Sequence, residues 1–193
     1  MRARAAGAFL AAALAGGIAS AAHAEFAVSA NDAKVKMVDG VVQIVKDKQD
    51  TATIIDLSAN PPHVLAEINV PNSVVGPPLN VALTPKGDLA LIASAMVVDP
   101  NDPTKQIADD KLTVIDLSPL TPSLFSRLKQ AVTKKPEQAA TAPILATLKV
   151  GRGAAGIAIN KAGTLALVAN RSEGTVTVLS INGKTVTVVG TVT

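Results

Sequence analysis

Apolar residues along this chain gather in short runs broken by Gly-, Pro- and Asp-rich turns, the pattern of half-buried and buried strands. Two of these runs are near copies of one another. Val81-Ala-Leu-Thr-Pro-Lys-Gly-Asp-Leu-Ala-Leu-Ile-Ala-Ser94 aligns without gaps on Ile157-Ala-Ile-Asn-Lys-Ala-Gly-Thr-Leu-Ala-Leu-Val-Ala-Asn170. Each reads as a strand, a turn and a second strand. Gly87 and Gly163 stand at the third loop position, where a tight hairpin needs positive φ.

A second set follows the first. Thr53-Ile-Ile-Asp-Leu57 matches Thr113-Val-Ile-Asp-Leu117, and Thr177-Val-Leu-Ser-Ile181 is a weaker copy. A further β-rich stretch succeeds each, at 64–70, 144–150 and 185–192. Nearer the N-terminus, Lys34-Val-Lys-Met-Val38 and Val41-Val-Gln-Ile-Val45 flank Asp39-Gly40, the favoured pair for a type I′ hairpin turn. Assembled, the pattern predicts three units of four antiparallel strands. Unit one takes 34–38, 41–46, 52–57 and 64–70; unit two takes 79–84, 88–94, 111–117 and 144–150; unit three takes 155–160, 164–170, 175–181 and 185–192. Four-stranded units repeated along a chain are the blades of a β-propeller. The inner strands are apolar on both faces because they pack between neighbours, whereas Thr185-Val-Thr-Val188 alternates as an outermost strand should. A β-sandwich also has many short strands, but it would not repeat Gly-x-Leu-Ala-Leu-x-Ala at matching places. The expected fold class is all-β: propeller blades at about 34–70, 79–150 and 155–192, forming an incomplete ring.

Leu167-Val-Ala-Asn-Arg-Ser-Glu-Gly-Thr-Val-Thr-Val178, preceded by Gly156-Ile-Ala-Ile-Asn-Lys-Ala-Gly163, resembles the YVTN-type β-propeller repeat. Leu167 stands where that family usually has Tyr, and Ser180 where Asp is common. The family includes lactonase-like and haem d1-type propellers, and the resemblance implies about seven blades in one chain. Its motif certifies a blade and no chemistry. Three blades leave two apolar faces open. Two explanations compete: this is the N-terminal part of a longer propeller, or two copies associate to complete a ring.

Charge and export are linked. Arg2 and Arg4, the apolar stretch Ala5 to Ile18, and Ala22-His23-Ala24 read as a secretory signal peptide over 1–24, cleaved after Ala24. The mature chain, 25–193, is then expected to be periplasmic or secreted, without a membrane span. Cleavage leaves sixteen basic against fifteen acidic residues, a net charge of +1, with no basic cluster of the kind nucleic acid requires. Cysteine is absent, so an exported chain has no disulfide staple, thiolate metal site or Cys nucleophile. His63 is the one histidine after Ala24, and it follows Pro61-Pro62 in a turn between outer strands. A Ser-His-Asp triad or a multi-His metal site has no residues to draw on, and haem ligation by His63 is disfavoured because an outer-strand turn is far from the channel.

Propeller topology puts the loops 71–78, 95–110 and 151–154 on one face. Asn80, Arg152 (between Gly151 and Gly153) and Arg171 are candidate ligands for an anionic or hydroxylated small molecule, through fixed hydrogen bonds. Asp99, Asn101 and Asp102 in the longest of these loops are candidate oxygen ligands for Ca²⁺, although the Asp-x-Asp-x-Asp-Gly spacing is missing and Asp and Pro are common in plain turns. On the opposite face, Thr121-Pro122 starts a predicted helix within 118–142, with Leu124, Phe125, Leu128, Ala131 and Val132 on one side and Pro136 at its end. The expected function is an exported propeller module that binds a small ligand or a protein. The alternative, a lactonase-like hydrolase, is implied by the resemblance alone.

Overall fold

In a computed structural model, which describes residues 26–45, 48–58, 60–73, 79–120 and 142–193, the chain forms thirteen strands in four antiparallel sheets. The strands are β1 (Phe26–Asn31), β2 (Val35–Val38), β3 (Val41–Ile44), β4 (Thr51–Asp56), β5 (His63–Asn69), β6 (Val81–Leu83), β7 (Leu89–Val98), β8 (Gln106–Asp116), β9 (Ile144–Lys149), β10 (Ala154–Ile159), β11 (Leu165–Asn170), β12 (Thr175–Asn182) and β13 (Thr185–Val192). Sheets β6-β7-β8-β9 and β10-β11-β12-β13 are the four-stranded second and third blades. The signal-peptide segment and the predicted helix lie outside the described residues.

Blade one departs from expectation. It is a three-stranded sheet, β1-β4-β5, while β2 and β3 form a two-stranded hairpin of their own, inserted between β1 and β4. The unit therefore does not begin at residue 34 with the hairpin as its inner strands. Phe26-Ala-Val-Ser-Ala-Asn31 is the counterpart of Leu165-Ala-Leu-Val-Ala-Asn170, and the pairings agree: Ala27 faces Ile55 as Ala166 faces Leu179, and Asn31 faces Thr51 as Asn170 faces Thr175. The hairpin still has the turn its sequence demands, with φ of 48° at Asp39 and 78° at Gly40. Its side chains do not belong to a blade core, since Met37 is 71% exposed.

Other expectations hold. Gly87 and Gly163 occupy equivalent turns at the same φ, 68°, and each donates its N–H to the residue three before it, Thr84 at 2.8 Å and Asn160 at 2.9 Å. One does not: residues 95–110, expected as a loop, are largely strand. β7 and β8 run on past the blade, pairing Met96 with Ala108, Val97 with Ile107 and Val98 with Gln106. The β-branched, alternating residues on both sides of the turn favour ladder over loop.

Packing between blades makes the core. Leu89, Leu91, Ala93, Leu112 and Val114 of blade two close against Ala154, Ala166, Val168, Leu179, Ile181 and Val186 of blade three. The opposite face of blade two, with Ala90, Ile92, Ile115 and Leu117, closes against Ala52, Ile54 and Ala66 of blade one. Blade two is thus apolar on both sides because both sides are buried. Two further ties join blades two and three. Lys184 reaches Asp116 at 2.5 Å, and Ile157 N–H donates to Leu79 C=O at 2.9 Å in a parallel bridge between inner strands. Burial disfavours the Asp116 carboxylate, but its bonds to Lys184 and Ser118 outweigh that and hold its pKa below the ordinary range.

A repeated polar clamp ties neighbouring strands together, exposed in blade one and buried in blade three. Asn31 Nδ2 donates to Thr51 Oγ1 (3.1 Å) and Thr53 Oγ1 (2.9 Å); Asn170 Nδ2 donates to Thr175 Oγ1 (2.9 Å) and Thr177 Oγ1 (2.9 Å). Blade two has Ser94 in the Asn position. Its short hydroxyl bonds Met96 C=O instead, and the fully buried Thr113 Oγ1 has no partner. A buried hydroxyl without a hydrogen bond costs about 1–3 kcal/mol. Thr113→Val is therefore expected to raise stability by roughly 1 kcal/mol, read as a higher urea midpoint at unchanged slope. The same change at Thr177 breaks the clamp and should lower the midpoint.

Candidate functional site

At one rim of the blades, the chain leaving each outer strand meets the turns between second and third strands. Between blades two and three this meeting is tight. Gly153 N–H donates to Asp109 C=O (2.7 Å), Arg171 N–H donates to Gly153 C=O (2.9 Å), and Ser172 N–H donates to Arg152 C=O (3.1 Å). Glycine is required here. Gly153 has φ of 73°, and a Cβ there would lie 2.4 Å from Ser172 Oγ and 2.7 Å from its backbone nitrogen. A Cβ on Gly151 would fall 2.3 Å from the Asn170 amide.

This lacing sets Arg152 and Arg171 on adjacent loops, both exposed. A cleft of about 220 Å³ opens beside Arg171, lined by Ala95, Met96, Gly153, Arg171 and Ser172, with Arg152 outside its lining. Beneath Gly153 lies Asp109, only 4% exposed. Its Oδ1 accepts from Asp110 N–H (2.9 Å) and Lys111 Nζ (2.7 Å), and its Oδ2 has no hydrogen-bond partner. The cleft therefore presents one cationic side chain, Arg171, with the Ser172 hydroxyl and the Met96 thioether beside it. Such a set can hold an anionic, hydroxylated molecule against an apolar wall.

Asn80, the third predicted ligand, is placed differently. It is 3% exposed, its Nδ2 donates to Ala93 C=O (3.3 Å), and its own C=O accepts from Ala93 N–H (2.9 Å), so it fastens the start of the inner strand to β7. The candidate calcium ligands are turn-formers. Asp99 Oδ1 accepts from Asn101 N–H (2.8 Å), Asp102 Oδ1 accepts from Thr104 N–H (3.1 Å) and Oγ1 (2.5 Å), and Asp102 Oδ2 meets Lys105 at 2.7 Å. The bonds from Lys105 and Thr104 hold the Asp102 pKa below its usual range. Among the described residues, no group of three or more His, Asp or Glu gathers as a metal set. His63 opens β5, the outermost strand of blade one, and is exposed.

The sequence reading missed Asp109, Met96 and Ser172. It also missed a buried charge cluster at the base of the β2–β3 hairpin. Lys34, 8% exposed, bonds Asp32 (3.0 Å), Asp50 (2.6 Å) and Asn72 C=O. Asp50 in turn accepts from Ala33 N–H (3.0 Å) and Asn72 N–H (3.2 Å). With all three ammonium protons engaged, this cluster is a fastening for hairpin and loop.

Comparison with one solved structure supports the propeller architecture. The chain superposes on a Bacteroides fragilis protein provisionally assigned as a 6-phosphogluconolactonase with a TM-score of 0.50 at 10% identity, covering 86% of this chain and 38% of that one. It also matches Kuenenia stuttgartiensis hydrazine synthase with a TM-score of 0.45 at 17% identity, covering 81% of this chain and 46% of that one. The chain thus spans less than half the length of either structure. No protein-family profile matches the sequence, and no curated protein matches it. Among the described residues, no helix is long and apolar enough to cross a membrane.

Proposed function

We propose that this chain is a binding module of propeller architecture, exported and built as part of a longer propeller, and that it holds a small anionic, polyhydroxy ligand at the rim between blades two and three. The observation that carries this reading is the cleft beside Arg171, Ser172 and Met96, whose shape is set by backbone bonds through Gly153 rather than by mobile side chains. A rim fixed in this way needs little reorganisation to bind, which favours affinity. Arg171 gives the charge complement for a carboxylate or phosphate, and Arg suits planar, two-point recognition of such groups.

Titration calorimetry with 6-phosphogluconate and with gluconate tests the reading. The phosphorylated acid should bind, and Arg171→Gln should weaken it about ten-fold, the loss of one charge-assisted contact. Lys86→Gln, in the turn at the far end of blade two, should leave binding unchanged. Equal affinity in all three proteins would remove this site from consideration. A lactonase-like activity is the second reading, supported by likeness in fold to the Bacteroides fragilis protein. Turnover of 6-phosphogluconolactone above the uncatalysed rate would establish it in place of simple binding.

A further inference from the structure

The outermost strand of each blade has one edge bonded to its neighbour and the other turned away from the propeller axis, toward the perimeter. That outer edge faces away from any further blade in the ring. It belongs to β5, β9 and β13, and among the described residues no strand pairs with it. An open edge offers unused N–H and C=O groups to any extended chain. A charged side chain along it is a usual guard, since pairing would strip the charge of its water.

Two of the three edges are guarded in this way. β5 carries Glu67, β9 ends on Lys149, and both side chains are exposed. β13 has no such guard. Residues 185–193 include no charged residue and no proline. The nearest charge, Lys184 in the turn before the strand, is held by Asp116 at 2.5 Å. Val186 alone in β13 is buried, while Val188, Val189 and Val192 are 43%, 59% and 55% exposed. At eight residues β13 is also the longest of the three. A bulge follows Val64, Ile144 and Val188 alike, so this second kind of guard does not set β13 apart.

We propose that a second copy of this chain is the occupant: β13 of one copy pairs antiparallel with β13 of the other across a two-fold axis, joining two four-stranded blades edge to edge. Self-complementarity selects a second copy. An uncharged strand meets an identical one without repulsion, and valine and threonine both favour the ladder that forms. The same pairing through β5 or β9 would bury Glu67 or Lys149. Val188 and Val189 occupy the middle of β13, so two-fold pairing brings them beside their counterparts in the copy. No residue lining the rim cleft lies in β13, so this contact stands or falls independently of ligand binding.

Sedimentation velocity of the purified protein at micromolar concentrations tests it, and the expected species is a dimer. Val189→Lys and Val189→Glu should each weaken association about ten-fold or more, because a like charge then stands against its own copy. Circular dichroism of both variants should match the parent protein. Mixing them should restore association as a heterodimer, since lysine then faces glutamate, a rescue that misfolded variants would not give. Leu167→Glu changes an exposed residue of β11 and should leave the dimer intact. A parent protein that stays monomeric overturns the proposal. So does a dimer broken by Leu167→Glu but indifferent to Val189→Lys, which would place the contact on the face of the sheet, and so does a failure of the mixed variants to associate.

Discussion

Replacing Lys34 by methionine should destabilise the protein by about 3–5 kcal/mol, the usual consequence of removing one partner from a buried ionic cluster. Methionine matches the aliphatic stem, so packing is largely kept and the effect reports the charge. Two carboxylates remain: Asp32 and Asp50, the latter with a side chain only 8% exposed. Burial already pushes the Asp32 pKa above its ordinary value, against the opposing pull of Lys34. A carboxyl whose folded pKa is raised stabilises the fold most when protonated, and that contribution is lost as pH rises through the folded value. Without Lys34 the rise is larger. The deficit of the variant, measured by urea unfolding, should therefore be greatest at neutral pH and shrink as the pH is lowered toward 5. A deficit that does not change with pH would mean that lost packing, not unpaired charge, is responsible. The folding of the β2–β3 hairpin onto blade one should fail first, since Lys34 C=O also receives Val45 N–H (2.8 Å) at the hairpin base.

The second large effect belongs to Gly153. Gly153→Ala should cost at least about 3 kcal/mol, combining a left-handed backbone with overlap against a neighbouring backbone atom. The overlap cannot be relieved by a rotamer change, because Ser172 N is itself bonded to Arg152 C=O. Gly87→Ala is the control. It has a similar φ of 68° but nothing within 4 Å of the added carbon, so only the backbone term applies, about 1 kcal/mol. Thermal unfolding of the two variants side by side separates strain from collision. If both lose the same amount, the close approach at the rim is not restrictive. Gly153→Ala should also displace Arg171 relative to Met96, so any variant that folds should lose affinity for the rim ligand.

Much of this architecture can be read before any coordinates. The paired hairpins around Gly87 and Gly163 are written in fourteen matching positions each, and local turn chemistry leaves them little choice. Blade one was harder because its inner strand, Phe26 to Asn31, has Ser29 where the copies have Ile92 and Val168. That change weakens the apolar signature, while the Asp39-Gly40 hairpin nearby offers a stronger local signal for strands. Both hairpin and blade strand have period two, so periodicity alone cannot say which one pairs with Thr51 to Asp56. The rim was legible in part. Glycines on either side of Arg152 mark a loop in close contact with something, but only the fold shows that the something is the turn after Arg171. Asp109 carries no local mark at all. Its burial arises from the loop of the next blade passing over it, at a distance of more than forty residues along the chain.

The parallel bridge between Leu79 and Gly156 has a consequence for how the molecule opens. Main-chain bonding there, together with the Gly153–Asp109 bond at the rim, joins two sheets that otherwise touch through side chains, so neither can swing away without breaking backbone hydrogen bonds. Solvent exchange at the Ile157 amide should consequently be as slow as at the centre of β8, marking the two sheets as one cooperative unit, while the edge of β1, unpaired among the described residues, exchanges early.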